Sequence, residues 1–224
     1  MPRPTLLAVS HGTSDAEGAR AIAELVAAVA ARLPDVVVRA AFVDVQQPDA
    51  VDALAEIDGP VVVVPLLLSS GFHVHHDLHG MAAERTDAVV AAPLGPDPRL
   101  AAALAERLPA SSDLPVILAV AGSRDPRSLT DAEGMAALLH EHLGRRVELA
   151  FLAAREPDLP TALATHPDAV VSTYLLARGF FYDLAERQAA GRALALPLLD
   201  GGPVPADLVD LVVARFEETA PQLA

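Results

Sequence analysis

LLAVSHGTSD, residues 6–15, returns as ILAVAGSRD, residues 117–125, and that echo decides the architecture. Setting His11-Gly12 on Ala121-Gly122 separates the copies by 110 positions, with a one-residue adjustment inside the apolar run. Working outward, FVDVQQPD at 42–49 meets FLAAREPD at 151–158, 109 positions on. Residues 61–71 then resemble 170–179, followed by Phe72 against Phe180. Three matches in order at a nearly constant offset indicate a duplicated domain, and the period is far too long for a solenoid repeat. Within the first copy, residues 6–9, 36–42, 61–68 and 88–94 read as strands. The third is apolar throughout, as a strand covered on both faces must be. Ile22, Leu25, Val26, Val29 and Leu33 recur at helical spacing, and Ser14 with Glu17 has capping-box spacing ahead of them. Leu100, Leu104 and Leu108 mark a further helix. This β-α-β-α order predicts an α/β fold of two similar lobes. Each has a mainly parallel sheet of about four strands, flanked by helices and joined by right-handed crossovers. The break in composition at 109–115 divides the lobes into 1–110 and 115–224, related by a pseudo-twofold axis.

The composition of the 224 residues narrows the function. Hydrophobic residues make up 52%, enough for a sizeable core. Thirty acids against 16 bases give a net charge of −14, which argues against nucleic-acid binding and against docking on anionic membranes. All 16 bases are Arg, which with the abundant Ala points to codon bias rather than chemistry. The absence of Cys excludes disulfides, thiolate metal sites and Cys nucleophiles. The apolar run at 6–9 is too short for a signal-peptide core, and the run at 60–68 is less than half of the ~20 residues that span a bilayer. The expectation is a cytoplasmic protein. Because the duplication supplies its own internal pairing, a monomer is expected.

The copies differ where polar residues stand. His11 becomes Ala121, Asp44 becomes Ala153, and His73 falls against Phe181 or Tyr182. Each of the three lies just past a predicted parallel strand, at the edge where open α/β sheets bind ligands. Imidazole and carboxylate together suit a divalent first-row metal such as Co, Fe, Ni or Zn. The neighbouring His75, His76 and His79 read as a polar face.

With these residues, SHGTS at 10–14, FVD at 42–44 with Pro48, and VPLLLSSGFHV at 64–74, the chain resembles the sirohydrochlorin chelatase family. These are the class II chelatases of siroheme and cobalamin synthesis. The most specific motif is the G-x-H-V ending at 71–74. The resemblance implies that His11 and His73, with Asp44 nearby, hold a metal and assist its insertion into sirohydrochlorin. Many members carry Glu where this chain has Asp44. The metal, Co²⁺, Fe²⁺ or Ni²⁺, is then a substrate, and no permanently bound cofactor is expected.

The chemistry agrees with the residue types. Insertion of M²⁺ into a free-base tetrapyrrole removes two pyrrole N–H protons, and neutral imidazole can ligate a metal or take a proton near neutral pH. Two or three protein ligands leave open positions for pyrrole nitrogens. Gly12 and Gly18 do not make a phosphate loop, because the spacing is one too long and Ala19 stands where Lys is needed. A phosphohistidine-type phosphatase is disfavoured because Ser10 replaces the phosphate-binding Arg. Ser69-Ser70-Gly71 makes no hydrolase elbow. A non-catalytic metal or tetrapyrrole carrier remains the alternative. A macrocycle with eight carboxylates needs local cations in so acidic a protein. Arg124, Arg155 and Arg178 follow the three strands of the second copy, and they are expected to face the metal across an interlobe cleft and to bind those carboxylates.

Overall fold

The computed structural model describes residues 3–71, 77–109, 114–192 and 194–223. The first sheet has the order β2-β1-β3-β4, formed by Thr5–Ser10 (β1), Val38–Phe42 (β2), Val61–Pro65 (β3) and Ala88–Val90 (β4). The second has the order β6-β5-β7, formed by Val116–Val120 (β5), Val147–Phe151 (β6) and Val170–Tyr174 (β7). Every pairing is parallel. Helices connect the strands: α1 (Ala16–Arg32), α2 (Ala50–Ala55), α3 (His79–Ala83) and α4 (Pro98–Glu106) in the first half. The second half has α5 (Pro126–Leu143), α6 (Leu159–Thr165), α7 (Phe180–Gln188) and α8 (Ala206–Thr219).

The register fixes the alignment of the copies. Ser10 pairs with Phe42, and Val120 pairs with Phe151; Val9 pairs with Pro65, and Ala119 pairs with Thr173. Equivalent strands are therefore offset by 110, 109 and 108 positions. Carried forward in the sequence, the last offset sets Gly71 on Gly179, Phe72 on Phe180 and His73 on Phe181.

The second sheet carries three strands rather than four. Its fourth position is reduced to a single bridge between Val171 and Leu194 among the described residues. The chain still follows the path it takes in the first lobe: Ala195 N–H donates to Val171 O (2.8 Å) as Ala91 N–H does to Val63 O (2.8 Å). The Ala195 carbonyl is satisfied by the Thr173 hydroxyl (3.0 Å), so a side chain stands in for a ladder partner. The caps differ from expectation too. Asp15, not Ser14, caps α1, accepting from Gly18 N–H at 2.6 Å. Carboxylate acceptance of that early amide satisfies a free donor and favours the positive helix end. Asp125 does the same for α5 through Arg127 N–H (2.9 Å).

Strand alternation sorts the cores. Leu7 and Val9 pack outward with α2, and Ile117 and Ala119 pack outward with α6 and α7. Leu6 and Ala8 turn inward, as do Val116, Leu118 and Val120, into one core shared by both lobes. The last helix closes that core. The sequence boundaries place α8 with the second half, and its contacts run to α1, α4 and β3 of the first. Leu208, Leu211, Val212 and Phe216 of α8 are buried in the shared core. Residues 110–113 of the expected linker lie outside the described residues.

Candidate functional site: the interlobe cleft

Both sheets end at one cleft of about 630 Å³, within the range of small-molecule sites. Its walls are the loops after β1, β3, β5 and β7, and its floor is apolar, with Ile22, Leu66 and Val120. The loops meet reciprocally. Gly179, after β7, sits on Thr13, after β1, and Gly71, after β3, faces Ser123, after β5. The segment leading to position 73 is held from the second lobe. Ser70 N–H donates to Asp131 Oδ2 (2.6 Å), and the Tyr174 hydroxyl donates to Leu68 O (2.9 Å). Burial pushes the Tyr174 hydroxyl far above its ordinary range, so it stays a donor.

His11 is exposed on the cleft wall directly after β1, with Nδ1 3.4 Å from Gly12 O. Gly12 takes φ +92, and the Cβ it lacks would stand 2.1 Å from Asp44 O. Only Gly tolerates both the conformation and the approach. Asp44 N–H donates to His11 O at 3.0 Å, so the two residues occupy neighbouring turns. The Asp44 carboxylate is folded back, with Oδ1 accepting from Val45 N–H at 2.7 Å. Val45 is held at φ 65, a costly conformation for a β-branched residue. Lobe two repeats this backbone. Gly122 takes φ +87 with its missing Cβ 2.0 Å from Ala153 O, and Ala154 takes φ 65. The scaffold is thus duplicated while the side chains change from His11 and Asp44 to Ala121 and Ala153. His73, the third expected donor, lies outside the described residues, as do His75 and His76. Among the described residues no three His, Asp or Glu gather into a metal-binding group. His79 begins α3 and is exposed.

Of the three arginines expected at the cleft, Arg178 lines it and Arg124 and Arg155 do not. Arg178 lies over the Tyr182 ring at 4.9 Å, and its Nε is 3.6 Å from Glu17 Oε2. Arg124 is exposed beside Asp125 in a separate shallow depression. Arg155 is committed within its own lobe, donating to the carbonyls of Ser123 and Asp125. In lobe one the equivalent Gln46 accepts from Thr13 N–H (2.9 Å), so both positions brace the loop after the first strand of their lobe. The sequence reading missed the aromatic wall of Phe180 and Phe181. Its signal was their alignment with Phe72-His73.

A family model described as CbiX matches residues 5–111 and 115–200. Among curated proteins, the chain is 32% identical over 77 residues to a sirohydrochlorin cobaltochelatase from Methanococcoides burtonii, covering 33% of this chain and 59% of that protein. The chain thus spans about three fifths of that relative's length. Among solved structures, SirB from Bacillus subtilis subspecies spizizenii in complex with cobalt superposes with a TM-score of 0.80, at 22% identity over 98% of this chain and 96% of that one. SirB from Bacillus subtilis with Fe³⁺ superposes with a TM-score of 0.78, at 22% identity over 97% and 96%. Among the described residues no helix is long and apolar enough to cross a membrane.

Proposed function

From a chain that belongs to the CbiX family, we propose an enzyme that inserts a divalent metal ion, Co²⁺ or Fe²⁺, into sirohydrochlorin without ATP. The observation that carries this reading is the character of the cleft. It is largely apolar, it opens where both parallel sheets end, and it carries an imidazole on one wall and a guanidinium on the other. Its lining among the described residues has no carboxylate, the exposed Asp44 lying just outside it beside Val45, in a protein of net charge −14. A polycarboxylate macrocycle needs that local exception to the global field.

In this reading the first lobe, residues 1–110, holds the metal through His11, His73 and Asp44. The bond from Val45 N–H leaves Asp44 Oδ2 as the oxygen for a metal. Imidazole nitrogen takes a pyrrole proton as the macrocycle replaces protein ligands. The second lobe, residues 115–224, receives the macrocycle. Arg178, held by Tyr182, pairs with a peripheral carboxylate through parallel charge-assisted hydrogen bonds. The relatives' names support the substrate: the curated relative is a sirohydrochlorin cobaltochelatase, and the SirB structures hold cobalt or Fe³⁺.

The test is anaerobic incubation with excess sirohydrochlorin and Co²⁺ or Fe²⁺, followed by absorbance. Multiple turnovers per chain are expected. Uptake that stops at one equivalent would reassign the protein as a carrier. Arg178→Ala should raise KM for sirohydrochlorin about tenfold, equivalent to about 1.4 kcal/mol, with Co²⁺ affinity unchanged by calorimetric titration. An unmoved KM would remove Arg178 from the site.

A further inference from the structure

Phe180 is 68% exposed, the one aromatic among the exposed large hydrophobic residues of the described chain. A lone exposed apolar side chain carries no message, but this one has a specific setting. It lines the interlobe cleft, whose floor is apolar and which is open to solvent above. It begins α7 directly after Gly179, whose φ of +146 and missing Cβ, 2.7 Å from Thr13 Oγ1, seat the turn on the loop that carries His11. Its ring meets Phe181 edge-on, with centroids 5.3 Å apart and planes at 78°. Phe181 in turn packs on the outer core of the second lobe. The edge contact engages one side of the Phe180 ring, so a ring face is left for a partner.

The duplication shows what changed. Phe181 stands at the position of His73 by the 108-residue offset set by the strand register. Ala121 and Ala153 stand at those of His11 and Asp44. The second lobe kept the turns that carry His11 and Asp44 and has an apolar residue at the position of each expected donor. A flat conjugated macrocycle offers two π faces, and phenyl rings bind such faces by offset or edge contact. We propose that Phe180 packs against the face of the sirohydrochlorin macrocycle, making the second lobe's degenerate site the wall that seats the tetrapyrrole opposite the metal. This rests on the reading of the cleft as a sirohydrochlorin site.

The test uses the full chain and metal-free sirohydrochlorin, with binding followed by its absorbance, beside calorimetric titration with Co²⁺ alone. Phe180→Ala should weaken sirohydrochlorin binding about tenfold, Phe180→Tyr should stay within about threefold of wild type, and Co²⁺ affinity should not change. Because the ring is exposed, thermal melting of both variants should match wild type. If wild type binds sirohydrochlorin and Phe180→Ala binds it equally, the inference fails and the proposed function stands. If Co²⁺ affinity falls in parallel, the residue is structural and the inference fails. A wild type that binds no sirohydrochlorin removes the proposed function together with the inference.

Discussion

His11→Ala and His73→Ala should each lower steady-state chelation by at least about a hundredfold, the usual scale for loss of a positioned acid–base group. His11 is placed by backbone that cannot easily shift. Gly12 is forced to a positive φ against Asp44 O, and Asp44 N–H bonds to His11 O at 3.0 Å. The imidazole is exposed on the cleft wall, so its removal leaves the buried core untouched and thermal stability should not move. His73 enters on its G-x-H-V motif, and the loop that leads to it is fixed through Ser70 and Leu68 by Asp131 and Tyr174. Asp44→Ala should cost less, about tenfold, because one carboxylate oxygen among imidazoles and waters is the more replaceable donor. His75→Ala, His76→Ala and His79→Ala should each stay within about twofold of wild type. The measurement is anaerobic initial rate with Co²⁺ and sirohydrochlorin. Near wild-type turnover in either of the two His variants rejects the assignment, and a large loss at positions 75, 76 or 79 places the site elsewhere.

The duplication was legible in the sequence because strand register and turn geometry constrain residues tightly. A parallel sheet that ends in one loop conformation needs Gly at 12 and again at 122, and Phe followed by Asp-capped helices at 42–49 and 151–158. Such positions repeat because the backbone demands them. Side chains that serve only one lobe do not repeat, and they had to be inferred by contrast. The contrast singled out His11 and Asp44, whose backbones the fold brings together through the bond from Asp44 N–H to His11 O. It was less informative for the arginines. Arg155 has the same offset from its strand as Gln46, and both brace a loop within their own lobe, which charge alone does not reveal. The helix cap was misassigned by one residue because Ser14 and Asp15 are both good caps, and tertiary geometry chose the carboxylate. The return of α8 to the first lobe was not legible, since an amphipathic helix states that it has an apolar face and not what covers it.

That return is anchored at one buried carboxylate, and Asp97→Ala should destabilise the protein by about 3 kcal/mol, the low end for stripping one partner from a buried ion pair. Asp97 is 7% exposed at the start of α4. Its Oδ1 accepts from Arg99 N–H (3.0 Å) and Arg99 Nε (2.8 Å), and its Oδ2 from Arg99 Nη2 (2.8 Å). Arg215 of α8 reaches the same Oδ2 at 3.2 Å, with further bonds to Pro93 O (2.9 Å) and Leu94 O (3.2 Å). Removing the carboxylate uncaps α4 and leaves the Arg215 guanidinium, itself little exposed, with the exposed Glu218 carboxylate at 3.5 Å in place of its buried partner. Asp97→Asn keeps the shape and the cap but not the charge, so it should lose roughly half as much. Burial pushes the Asp97 carboxyl up, but the bonds from Arg99 and the charges of Arg99 and Arg215 outweigh it and hold the group below its ordinary range. A depressed folded-state value means that the contribution is complete above the unfolded value of ~3.9 and disappears as pH falls through the folded one. The difference between wild type and Asp97→Asn in denaturant unfolding should therefore be flat from about pH 7 to pH 5 and shrink below about pH 4. A loss under about 1 kcal/mol for Asp97→Ala, or a difference that persists undiminished in acid, would mean that α8 is held by its apolar face and that the Asp97–Arg215 pair contributes nothing to keeping the two lobes closed around the cleft.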